Sequence, residues 1–121
     1  NFMEEEIYQM MIATTEDQNE LILENTTTLK VARWWDKACD IIPCNGGKDI
    51  GIQKILDYFN FNKEEAMAFG DGGNDISMLK YVGTGVAMGN AKDDVKAIAD
   101  YITDSVQEDG IVSALKHFEI L

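Results

Sequence analysis

The stretch AMAFGDGGNDISML, residues 66–79, decides how the chain is read. Residues 66–69 form a continuous apolar run, as a parallel strand covered on both faces requires. From Ile76 onward the apolar positions take helical spacing. Between strand and helix lie Gly70, Asp71, Gly72, Gly73, Asn74 and Asp75. In an open parallel sheet, ligands bind beyond the carboxyl ends of the strands, where this segment falls. The glycines let the backbone turn and let a ligand approach without Cβ atoms in the way. Asn74 is placed to cap the following helix, whose first N–H groups attract an anion. Asp71 would repel a phosphate unless a cation stood between them, and carboxylate with phosphate oxygens makes a Mg2+ site. A calcium-loop reading of DGGNDI fails, because its third position is Gly73 and the position that must be glycine holds Ile76.

The pattern continues on both sides. Downstream, TGVAMG (84–89) reads as a second short buried strand and AKDDVKAIA (91–99) as a helix. DYIT (100–103) is a short strand, and GIVSALKHFEI (110–120) a closing helix. Gly89 and Asn90 lie at the second strand end, with Asn90 placed as an N-cap ahead of Asp93 and Asp94. Upstream, DIGIQKILDYFN (49–60) carries apolar residues at 52, 55, 56 and 59, the stripe of an amphipathic helix. Strand and helix alternate with short connections, which predicts an open parallel α/β sheet. Lys48, in NGGKDIG, stands at the start of the 49–60 helix, where it can reach a phosphate as a point charge. One helix and one strand separate it from Asp71, and the right-handed βαβ rule places both at the same sheet edge.

The first third has a different texture. IYQMMIA (7–13), TLKVARWW (28–35) and CDIIP (39–43) read as strands. TEDQNELILEN (15–25) reads as a helix with Thr15 as N-cap. This is a small α+β or βαβ piece, too short for a comfortable domain. The single proline, Pro43, lies among turn residues in DIIPCNGGKD and marks the boundary between residues 1–43 and 44–121.

Composition narrows the partners. The 121 residues suffice for one core, and 45% apolar content fits a globular chain. With 22 Asp+Glu against 10 Lys+Arg, the formal charge is −12, which argues against nucleic acid or an anionic membrane as partner. It leaves room for an anionic small molecule, since one lysine or a divalent cation inverts the field of a single pocket. Cys39 and Cys44, with His117 distant in sequence, read as reduced thiols rather than a zinc site. No apolar run approaches the length of a membrane span, and a cytoplasmic location is the expectation. The opening NFMEEEIYQMM has no Met at position 1, and the chain is expected to be the tail of a longer polypeptide.

Lys48, GDGGND (70–75), GVAMGNA (85–91) and DSVQEDGI (104–111), in that order, resemble the C-terminal part of the haloacid dehalogenase superfamily. More narrowly, they look like its Cof-type phosphatases, and the resemblance covers residues 39–121. It implies the second half of a Rossmann-like parallel sheet, preceded by the end of an α+β cap. It also implies roles: Lys48 neutralises the phosphoryl group and the aspartyl nucleophile, and Asp71 binds Mg2+. Asp75 is implied as the second acid, holding a metal-bound water or orienting the lysine, and Asn74 as the amide that contacts phosphate or substrate.

The expected activity is Mg2+-dependent hydrolysis of phosphomonoesters, sugar phosphates or similar metabolites, through an aspartyl-phosphate. Such chemistry needs a carboxylate nucleophile with Mg2+ and lysine screening its repulsion for phosphate. The family's Asp-x-Asp motif is absent from these residues. EDGI (108–111) is a poor substitute, because Gln107 takes the nucleophile's place and no buried strand precedes it. The expected partners are therefore a phosphorylated small molecule and an N-terminal part of the same polypeptide. The chain alone is expected to be inactive. Two other readings are a non-catalytic α/β binding module and a piece of a P-type pump, whose similar motif continues into Ala-Pro where this chain has ISML.

Overall fold

The structure is a computed structural model that describes residues 6–121. Its contacts divide the chain into two units, Asn1–Gly47 and Lys48–Leu121.

In the first unit, strands β1 (Met10–Ile12), β2 (Leu29–Trp35) and β3 (Ala38–Pro43) form an antiparallel sheet in the order β1-β3-β2. β3 pairs antiparallel with both neighbours, so β1 and β2 run the same way with β3 between them. The link from β1 to β2 carries a 3-10 turn, Glu16–Gln18, and helix α1 (Asn19–Leu23). The two sequence alternatives for this segment thus merge into a split βαβ. Thr15 is the N-cap of the 3-10 turn, as the sequence suggests. The central strand buries Ala38, Cys39 and Ile41. Arg33 fastens the 14–19 segment to β2, donating to Thr14 O (2.7 Å) and Asn19 Oδ1 (2.7 Å). β1 is shorter than the 7–13 run predicts, and its residues stay exposed. Both cysteines are free thiols, Cys39 buried and Cys44 exposed. Residues 44–47 remain with this unit: Cys44 N donates to Thr28 O (2.7 Å) and Gly46 N to Pro43 O (2.9 Å).

The second unit is the predicted parallel α/β sheet. Helix α2 (Lys48–Phe59) leads to β4 (Met67–Gly70), then come α3 (Ile76–Tyr81), β5 (Thr84–Ala87), α4 (Asp93–Lys96), β6 (Tyr101–Ile102) and α5 (Gly110–His117). The strands lie in the order β4-β5-β6, all parallel, with Gly70 opposite Ala87 and Ala87 opposite Ile102. Parallel strands buried on both faces select small and β-branched residues, and Ala68, Val86 and Ala87 are buried here. Ala68, Leu79, Val82, Ala87, Ala91 and Val95 form the core cluster, with Ile52, Ile76 and Ile98 packed against it.

The α2 stripe is covered only in part. Ile52 packs on the core, whereas Ile55 and Phe59 are each 60% exposed. Among the described residues no helix is long and apolar enough to cross a membrane.

Candidate active site

The carboxyl ends of β4, β5 and β6 lie side by side, and their loops are tied together through the backbone. Met88 N donates to Gly70 O (2.9 Å), Thr103 N to Ala87 O (3.0 Å) and Gly89 N to Asp104 O (3.0 Å). This edge therefore gathers Asp71, Asp75, Asn90 and the segment after Thr103.

Asp75 organises the edge. It is 5% exposed and accepts from Asp71 N (3.0 Å) and Gly72 N (3.1 Å) with Oδ2. Its Oδ1 forms an ion pair with Lys48 Nζ. A buried carboxylate is tolerated only when charge and hydrogen bonds compensate it, and these three partners do so. The close fit explains Gly70, since a Cβ there would lie 2.6 Å from Asp75 Cβ. The room at Gly70 thus serves Asp75 as well as any ligand, and Gly72 keeps an ordinary extended backbone (φ −111°, ψ 161°).

Lys48 and Asp71 do share one end of the sheet, but through a different geometry from a βαβ crossover. The strand before α2 belongs to the antiparallel sheet. α2 spans 12 residues, about 18 Å, and the chain then returns along β4 toward the level at which the helix began. Lys48 occupies the first turn of α2, where the helix dipole disfavours a cation. The Asp75 carboxylate offsets that cost and fixes the ammonium, while the lysine side chain stays 49% exposed and accessible to an anion. Asp49 reinforces the junction by accepting from Ser77 Oγ (3.2 Å).

The structure corrects both asparagine caps. Chain entry into the helix begins at Gly72 through a 3-10 turn, Gly73–Asp75, and Asp75 is the N-cap of α3. Asn74 lies inside that turn, half-buried. Lys92 is the N-cap of α4, so Asn90 is not one either. The Asn90 side chain instead spans two loops, with Nδ2 donating to Asp71 Oδ2 (3.0 Å) and Oδ1 accepting from Val106 N (3.0 Å). Its place at a strand end in the sequence was the available signal for a role at the site; the partners become visible only in the fold.

Asp71 is exposed, and its Oδ1 makes no hydrogen bond among the described residues. Mg2+ prefers six oxygens in an octahedron and keeps several waters, so one free carboxylate oxygen suits a corner of such a site. Asp75 offers less, because both of its oxygens already have partners. Among the described residues no three His, Cys, Asp or Glu side chains are gathered as a complete metal cluster. The free Asp71 oxygen therefore fits a single position in a Mg2+ coordination shell. EDGI (108–111) follows no strand: Val106–Glu108 is a 3-10 turn, and Gly110 opens α5.

Comparison with known proteins agrees with this architecture. A family model for haloacid dehalogenase-like hydrolases matches residues 1–115. A Bacillus subtilis (strain 168) protein named "Putative phosphatase YkrA" is 40% identical over 116 residues, covering 96% of this chain and 45% of that protein. A 5-amino-6-(5-phospho-D-ribitylamino)uracil phosphatase of the same strain, YitU, is 46% identical over 79 residues, 65% of this chain and 29% of that protein. Among solved structures, a haloacid dehalogenase subclass IIB sugar phosphatase superposes with a TM-score of 0.90 at 45% identity. That match covers 97% of this chain and 45% of the solved one, so the chain spans about half the length of these relatives or less.

Proposed function

Because the chain belongs to the haloacid dehalogenase-like hydrolase family, on its Cof-type branch, we propose that it carries the lysine-and-acid half of a phosphatase site. The whole polypeptide hydrolyses phosphate monoesters of small metabolites with Mg2+. The first unit, which extends past the Pro43 boundary expected from the sequence to Gly47, is the end of the cap, and residues 48–121 are half of the catalytic core. The observation that carries this reading is the Lys48–Asp75 pair beside the exposed Asp71 at the end of β4. A phosphoryl dianion approaching this edge meets a held ammonium on one side and a carboxylate suited to a cation on the other.

The residues divide the work. Asp75 holds Lys48 and the backbone of the loop, so the ammonium is positioned before substrate arrives. Lys48 lowers the repulsion between phosphate and the attacking carboxylate. Asn74, half-buried in the 3-10 turn, contacts phosphate or substrate. Asp71 offers Oδ1 to Mg2+, which when bound screens charge on the transferring group. The nucleophile is an aspartate of an Asp-x-Asp motif in the N-terminal part of the polypeptide, and the enzyme passes through an aspartyl-phosphate. Sugar and polyol phosphates are the substrate class, in line with the names of the similar phosphatases. The two free thiols agree with a cytoplasmic setting.

The test is steady-state turnover of an aryl phosphate by the whole polypeptide with and without Mg2+. Asp71→Ala lowers Mg2+-dependent kcat/KM by at least about a hundredfold. Unchanged turnover in that variant overturns the proposal.

A further inference from the structure

Asn90 has lost the role its sequence position suggests, since Lys92 rather than Asn90 caps α4. Its side chain is nonetheless used at both ends, on Asp71 Oδ2 and on Val106 N. We propose that Asn90 is a positioning residue for Asp71, holding one oxygen of the carboxylate so that the other is presented to a cation, and linking that carboxylate to the loop after β6. The proposal rests on the reading of Asp71 as a Mg2+ ligand.

The chemistry of the bridge selects an amide. The ionised Asp71 carboxylate only accepts hydrogen bonds, and the Val106 N–H only donates. A side chain joining them must donate at one end and accept at the other, which the asparagine amide does. The same network fixes its orientation, since the flipped amide would set oxygen against carboxylate and NH2 against N–H. An aspartate at this position would face Asp71 with a second negative charge.

The strut stands on a firm base. Gly89 N donates to Asp104 O (3.0 Å), and Ala91 N donates to Met88 O (2.9 Å). A Cβ at Gly89 would lie 2.7 Å from Ser105 N, so the 88–91 loop and the start of the 105–109 segment lie in close contact. Asp71 lies exposed, where a free carboxylate would sample several rotamers. Capturing a cation would then cost the entropy of choosing one, and a neighbour that has already fixed the rotamer removes that cost. Groups that orient a metal ligand commonly change affinity by one to two orders of magnitude when removed.

The experiment uses the whole polypeptide and titrates Mg2+ by calorimetry into wild type, Asn90→Ala and Asp71→Ala. Wild type binds, Asp71→Ala loses binding, and Asn90→Ala binds about tenfold more weakly. At saturating Mg2+, Asn90→Ala recovers kcat to within about threefold, because it acts through Asp71 rather than on the reacting atoms. Amide hydrogen exchange gives a second readout on wild type alone: Mg2+ slows exchange at Val106 N–H. Binding by Asn90→Ala equal to wild type, with Asp71→Ala defective, overturns the role of Asn90 alone. Binding unchanged in Asp71→Ala overturns the metal role of Asp71 and that of Asn90 with it. Exchange at Val106 insensitive to Mg2+ in wild type also overturns the link.

Discussion

At the scale of single residues, Asp75 and Lys48 separate structure from chemistry. Asp75 is 5% exposed and holds three donors, whereas the side chain of its partner Lys48 is 49% exposed. Loss of the lysine leaves Asp75 with two backbone N–H bonds and a solvent-screened deficit. Lys48→Met therefore lowers unfolding stability by less than about 1 kcal/mol. Asp75→Asn is the costlier change, because its amide can satisfy the backbone N–H groups only by pointing NH2 at the ammonium. It lowers stability by about 1–3 kcal/mol. Both variants lose phosphatase turnover in the whole polypeptide. Denaturant titration beside steady-state kinetics checks the pair, and equal stability losses in the two variants would contradict the division of labour drawn here.

At the scale of elements, two glycines give opposite predictions. β5 passes so close to α3 that a Cβ on Gly85 would lie 2.3 Å from Leu79 O. Gly85→Ala has to push helix from sheet inside the core and lowers stability by about 1–3 kcal/mol or more. Gly51, at the end of the first turn of α2, has nothing within 4 Å of its added Cβ. Gly51→Ala raises stability by about 0.5–1 kcal/mol through helix propensity and a less flexible unfolded chain. Chemical denaturation of the two variants reads both signs. The same scale shows what the sequence could disclose. Alternation of apolar runs and helical stripes from 49 to 117 is a local pattern, and it located α2, β4, α3, β5 and β6. The loop holding Asp71 and Asp75 was equally visible, because six residues of such composition serve few other purposes. The Thr15 cap was legible, but the two asparagine caps were not. An Asn before a helical stripe is a cap only if the chain enters the helix there; the 3-10 turn Gly73–Asp75 moves the entry of α3 to Asp75, and α4 is entered only at Lys92. The bridge from Asn90 to Val106 spans 16 positions, beyond any local periodicity.

At the scale of the whole molecule, the proposed reading makes the site a shared one. The chain presents an ammonium, one carboxylate suited to Mg2+ and an amide strut at a single sheet edge. Its described residues bring together no third acid there and no aspartate pair of the Asp-x-Asp kind. Screening without a nucleophile leaves phosphate hydrolysis to water, because electrostatic stabilisation is useful only where a bond is being made. The purified 121-residue chain therefore releases phosphate from an aryl phosphate with Mg2+ no faster than buffer does, while the whole polypeptide turns the same substrate over. The control that gives this meaning is Asp71→Ala in both forms: it abolishes the activity of the long one and changes nothing in the short one. Mg2+-dependent release by the short chain that disappears with Asp71→Ala would show that these residues hold a complete catalytic set, and the shared-site reading would fall.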